Sequence, residues 1–124
     1  MKAKEFRIGN FISHDSCPVF RVDEIRLTNE GYILRMYLDD SLKSFLDMPL
    51  GQVRPIDLSR EVLEKCGFKK FESGNFYYPK TMFELTPKFW LEGSERAVKA
   101  GSLHQLQNLY FALTGEELAI NLGL

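Results

Sequence analysis

Residues 14–17 hold the one close grouping of His, Asp and Cys in the 124-residue chain: His14, Asp15 and Cys17. A cysteine nucleophile needs a base within reach, and a structural zinc site needs four ligands, so the group is short of either chemistry. A surface loop closing onto Pro18 is the simpler expectation. Asp23-Glu24, Asp39-Asp40 and Glu116-Glu117 are adjacent carboxylates, but neighbours along a strand point to opposite faces and rarely share a proton. Cys66 falls on an apolar stripe, where it behaves as a small hydrophobe. The chain has no phosphate-binding loop, no G-x-S-x-G elbow, no His-Glu-x-x-His and no paired C-x-x-C. The expectation is a non-enzymatic protein with no catalytic residue, cofactor or metal.

A second pattern is compositional. From Lys65 to Trp90 the chain interleaves Lys69, Lys70, Lys80 and Lys88 with eight aromatic residues, against only Glu72 and Glu84 on the acidic side. Bases stack on exposed rings while lysines follow the phosphates, so Lys69, Lys70, Lys80, Lys88 and Trp90 form a candidate single-stranded nucleic-acid surface. Alternation along 88–92 sets Trp90 with Lys88 and Glu92, away from Phe89 and Leu91. The competing and favoured reading is that most of these rings build the core of a small sheet.

A third pattern is an absence of charge. Between Ala100 and Gly115 there is no Asp, Glu, Lys or Arg, although Leu103, Leu106, Tyr110 and Leu113 repeat as one helical stripe. Ser102 with Gln105 three positions later reads as a capping box, and Thr114-Gly115 as the stop. A solvent-facing helix ordinarily carries charge opposite its stripe. This one offers Gln105, Asn108 and Phe111 instead, groups that can be desolvated cheaply, so they form the candidate protein interface. His104 in the first turn reads as a capping or packing residue.

The elements that would carry these groups are short. An apolar run from Phe6 is redirected at Gly9-Asn10 and resumes at Phe11. From Val19 to Leu27 the alternation changes phase at Asp23-Glu24, predicting a β-bulge. Thr28-Asn29-Glu30-Gly31 predicts a tight turn into a strand over 32–38, with shorter strands over 44–48 and 52–56. About five strands in this span predict a small SH3-like barrel. Ser59 caps a predicted short helix that stops at Gly67-Phe68. A hairpin over 70–78, strands over 81–86, 88–92 and 95–99, the helix and a last strand over 118–122 then form a meander with one main helix. The fold class expected is α+β, with an SH3-like β-subdomain over 1–58 and a meander-plus-helix subdomain over 59–124 sharing one core.

Composition excludes several classes. Sixteen basic and seventeen acidic residues give a net charge of −1, which removes the general basic field of a duplex-binding protein. With 44% hydrophobic and 27% charged residues the chain can bury a core without metal or disulfide. No stretch approaches the ~20 apolar residues of a membrane span, and the charged N-terminus is not a signal peptide. Two cysteines in unrelated contexts suit a reducing compartment, and the expected location is the cytoplasm.

The run from His104 to Leu118, His-Gln-Leu-Gln-Asn-Leu-Tyr-Phe-Ala-Leu-Thr-Gly-Glu-Glu-Leu, resembles the C-terminal signature of small uncharacterised proteins encoded by Bacteroidetes and their phages or other mobile elements. Arg7-Ile8-Gly9-Asn10-Phe11-Ile12, Pro55-Ile56 and Gly67-Phe68 are similar to further segments of those proteins. The resemblance implies a phage-associated or mobile-element protein of Bacteroides type. It carries no activity, cofactor or site residue with it.

Overall fold

The computed structural model describes residues 5–93 and 98–121. The chain divides into two compact units, Met1–Ile56 and Asp57–Leu124. It is α+β: among the described residues, three small antiparallel sheets accompany one main helix.

In the first unit, β1 (Phe11–His14) and β2 (Cys17–Arg21) form a hairpin over Asp15-Ser16, with Phe11 opposite Arg21 and His14 opposite Cys17. The residues around Cys17 are thus strand rather than the expected loop. Pro18 is tolerated because β2 is an edge strand of a two-stranded sheet, where a missing N–H breaks no ladder. The run from Phe6 becomes regular strand only at Phe11. Gly9 takes φ 95° and its N–H donates to Val22 O, while Val22 N–H donates to Asn10 O.

β3 (Glu24–Thr28), β4 (Gly31–Tyr37) and β5 (Phe45–Pro49) form the second sheet, in that order. The turn expected at 28–31 is present, with Thr28 opposite Gly31 at φ 110°. The bulge expected at Asp23-Glu24 is instead a break between strands. After Val22 the chain leaves its pairing with β1, and Asp23 N–H donates to Arg35 O as the chain joins β4. A phase change in alternation therefore marked a change of sheet.

The strand expected over 52–56 does not form. Pro49 precedes a single 3₁₀ turn, Leu50–Gln52, and Arg54 makes only an isolated bridge to Ser13. Among the described residues the strands close no barrel. Ile12, Phe20, Val22, Leu34, Met36 and Met48 are the heart of this unit's core. Phe20 is fully buried, and truncating such a ring to alanine costs about 3–5 kcal/mol.

The second unit begins with α1 (Arg60–Lys65). Ser59 accepts a hydrogen bond from Val62 N–H, satisfying one of the first-turn donors. The expected stop is complete: Gly67, at φ 91°, donates to Glu64 O and Phe68 donates to Leu63 O, the two bonds of a Schellman motif. The third sheet is β6 (Lys69–Lys70), β7 (Phe76–Tyr77) and β8 (Glu84–Leu85). These strands are shorter than expected, and the segment 88–92 contributes only isolated bridges, Leu91 to Leu85 and Trp90 to Lys99. Turns at Lys80 (φ 65°) and Phe89 (φ 69°) interrupt the meander. Most of the strand expected over 95–99 lies outside the described residues, as does Ser94 of the turn leading into it, whose Gly93 takes φ 78°.

α2 (Leu103–Thr114) ends at Gly115, φ 75°, whose N–H donates to Phe111 O. The expected capping box does not form. Gln105 Oε1 accepts from Gly101 N–H, one residue before the expected donor, and Ser102 Oγ lies 3.2 Å from His104 Nδ1 rather than on a backbone N–H. The buried side is Leu103, His104, Leu106, Gln107 and Tyr110; Leu113, expected on the stripe, is 57% exposed. Phe68, Phe83, Tyr78 and Tyr110 pack ring against ring, with Phe83 and Tyr110 centroids 5.3 Å apart. Residues 118–121 form no strand, though Leu118 is buried and Asn121 N–H donates to Lys65 O; the rest of that expected strand lies outside the described residues.

Candidate protein interface

α2 presents an outer surface without a single charged side chain, because its twelve residues include none. Gln105 and Phe111 are exposed and Asn108 is half-buried. The surface differs in detail from the expectation, because Gln105 spends its carbonyl on Gly101 and is held against the helix start. What remains open toward the C-terminal end is apolar: Phe111 at 38% exposure, Ala112 and Leu113. At 100° per residue Phe111 and Leu113 stand about 200° apart, on opposite flanks with Ala112 between them.

The Leu113 flank opens onto a groove of about 460 Å³ lined by Met82, Phe83, Leu91, Glu92, Leu113 and Thr114. Met82 is 100% exposed, carried outward by the turn that follows Lys80. Thr81 and Thr114 turn their hydroxyls inward, donating to Tyr78 O and Tyr110 O, so they add little polarity. The polar edge is made by Glu92. The Leu85–Leu91 bridge sets Glu92 against Glu84, and Glu92 N–H donates to Glu84 O at 2.9 Å. Asn75 Nδ2 donates to both carboxylates, at 2.7 Å to Glu84 and 3.2 Å to Glu92. Sequence reasoning missed this groove. Its spacing puts Leu113 on the apolar stripe, and a ladder between 85 and 91 has no local signature.

The candidate nucleic-acid residues fall on separate elements. Lys69 and Lys70 are successive strand residues and so face opposite sides of β6, whereas Lys80 and Lys88 sit in two different turns. All four are exposed, and none is in an ion pair among the described residues. Trp90 is 38% exposed and lies 5.9 Å from the Nζ of Lys99, a lysine outside the expected set. Of the eight aromatic residues, Phe68, Phe76 and Phe83 enter the core, while Tyr77, Tyr78 and Phe89 are half-buried. Phe71 is exposed, but one face is occupied by Tyr77, with centroids 4.1 Å apart.

His14, Asp15 and Cys17 are brought close by their hairpin and then occupied separately. His14 Nδ1 accepts from Ser16 N–H at 3.0 Å and Nε2 lies 3.4 Å from Gln52 Oε1. The Cys17 thiol donates to Val19 O, and Asp15 pairs with Arg54. Burial pushes the Cys66 thiol up to about 12, leaving it protonated and inert at neutral pH. Among the described residues no three His, Cys, Asp or Glu side chains are placed to hold a metal, and no helix is long and apolar enough to cross a membrane. Compared with known proteins, the chain matches no family model, no curated protein and no solved structure.

Proposed function

We propose that the protein is a non-enzymatic interaction module of phage or mobile-element type that binds a protein partner, or a second copy of itself, over α2 and its surroundings. The observation carrying the reading is the charge-free helix whose C-terminal half exposes Phe111, Ala112 and Leu113 beside a fully exposed Met82. Apolar surface of this kind, free of charge to desolvate, is what interface centres are made of. The five short antiparallel strands of the first unit keep the SH3-like reading as part of the same proposal, with the barrel left open between its two sheets.

The test is recovery of tagged protein from its native host with and without nuclease, beside Phe111→Ala and Ala112→Arg variants. A partner that survives nuclease and is lost, by roughly tenfold or more, from the variants supports the reading. Retention of the same partner by both variants rejects it.

A second reading, a nucleic-acid-associated accessory protein, is favoured by one observation: four exposed lysines without ion-pair partners among the described residues, with Trp90 under Lys99. Loss of partners on nuclease treatment supports it. Unchanged Trp90 fluorescence on adding single-stranded oligonucleotide at low salt rejects it.

A further inference from the structure

The groove on the Leu113 flank carries a statement about the chemistry of its occupant. Its floor and walls are apolar, from Met82, Phe83, Leu91 and Leu113, and its volume of about 460 Å³ is that of a pocket for a few side chains. Its one charged lining residue is Glu92, which Glu84 adjoins from outside the lining. Glu84 and Glu92 face one another across a ladder, an arrangement that destabilises through like-charge repulsion. The amide of Asn75 is the hydrogen-bond donor set between them, and it is neutral. No lysine or arginine pairs with either carboxylate among the described residues.

We infer that this groove receives a segment of a partner protein in which an apolar anchor residue is flanked by lysine or arginine. The anchor fills the space between Met82 and Leu113, and the cation meets the Glu84–Glu92 pair at the edge. Relief of the carboxylate repulsion adds to the attraction, and the fit of charge selects a basic segment over an acidic one. The inference rests on the interaction reading proposed above and adds the sign and shape of what is bound.

The experiment is selection of a random displayed peptide library against the whole protein. Enriched peptides are then titrated against wild type, Glu92→Gln, Glu92→Lys, Leu113→Gln and Met82→Gln, with methyl-labelled methionine as the NMR reporter. The expected result is enrichment of aliphatic or aromatic residues next to lysine or arginine, and movement of the Met82 methyl resonance while those of buried Met36 and Met48 stay fixed. Affinity should fall by roughly three- to tenfold in Glu92→Lys, less in Glu92→Gln, and by about tenfold in Leu113→Gln. Enriched peptides that lack a basic bias, or that bind Glu92→Lys unchanged while losing Leu113→Gln, overturn the inference and leave the interaction reading standing. Peptides indifferent to Leu113→Gln, Met82→Gln and also Phe111→Ala, or no enrichment, overturn both. Concentration-dependent dimerisation of the protein alone, abolished by Leu113→Gln, overturns the inference in favour of a second copy as occupant.

Discussion

At the scale of the residue, the clearest chemistry in the first unit is a polar array on the outward face of β3–β4–β5. Arg35 makes a two-pronged pair with Asp47, at 2.7 and 3.0 Å, and lies 3.6 Å from the centre of the Phe45 ring. Tyr37 donates its hydroxyl to Glu24 at 2.5 Å, and Glu24 also pairs with Arg26. The Tyr37 hydroxyl holds the Glu24 carboxyl below its usual range, and the Arg35 guanidinium does the same for Asp47. Both groups titrate lower in the folded chain than in the unfolded one. Their contribution is therefore present above the ordinary carboxylate range, near pH 4, and is lost as pH falls toward the depressed folded values. Tyr37→Phe should raise the Glu24 titration midpoint followed by carboxyl carbon NMR, leaving Asp47 depressed; an unmoved Glu24 would show that the phenol does not set it. None of this was legible beforehand. Glu24, Arg35, Tyr37 and Asp47 are ordinary strand residues until register aligns them, and register is a property of pairs of strands.

At the scale of the element, what could be read was what a few neighbouring residues decide. The turn at Thr28–Gly31 and the stop at Cys66–Phe68 appear where glycine chemistry put them, because a positive φ is a local demand. α2 was legible for the same reason. The failures concern partners. The alternation broke at Asp23-Glu24 because the chain changed sheets, Gln105 capped Gly101 because the loop before α2 approaches it, and Leu113 stayed open because none of the described elements covers that flank. The candidate interface was half legible: absence of charge is visible in a string of letters, whereas the groove beside it depends on a bridge between residues six apart. Backbone strain gives a paired prediction. A Cβ at Gly67 would meet Tyr78 Cε2 at 3.2 Å in a left-handed residue, so Gly67→Ala should destabilise by about 1–2 kcal/mol. Lys80 already bears that conformation with a side chain and is exposed, so Lys80→Gly should be neutral or stabilising by up to ~1 kcal/mol. Thermal unfolding should show a lowered midpoint for Gly67→Ala and an unchanged or raised one for Lys80→Gly; a loss in Lys80→Gly comparable to that in Gly67→Ala would refute the argument.

At the scale of the whole molecule, positive and negative charge nearly cancel in each half, eight basic with nine acidic residues up to Leu58 and eight with eight beyond it. The proposed recognition would therefore rest on patches such as α2 and the Glu84–Glu92 edge rather than on a net field. The two units also carry distinct natural reporters. Cys17 belongs to the first and Cys66 to the second, whose Trp90 is the only tryptophan in the chain. A thiol reagent at neutral pH should modify half-buried Cys17 in the native protein, while Cys66 reacts only as the second unit opens, in step with the change in Trp90 fluorescence. Native labelling of Cys66 at a rate matching Cys17 would contradict its burial. The sealed state of Cys66 thus gives the unaltered chain a single chemical address. A dye or spin label placed on Cys17 requires no substitution in α2 or its groove, so each binding experiment above can be followed on the natural sequence.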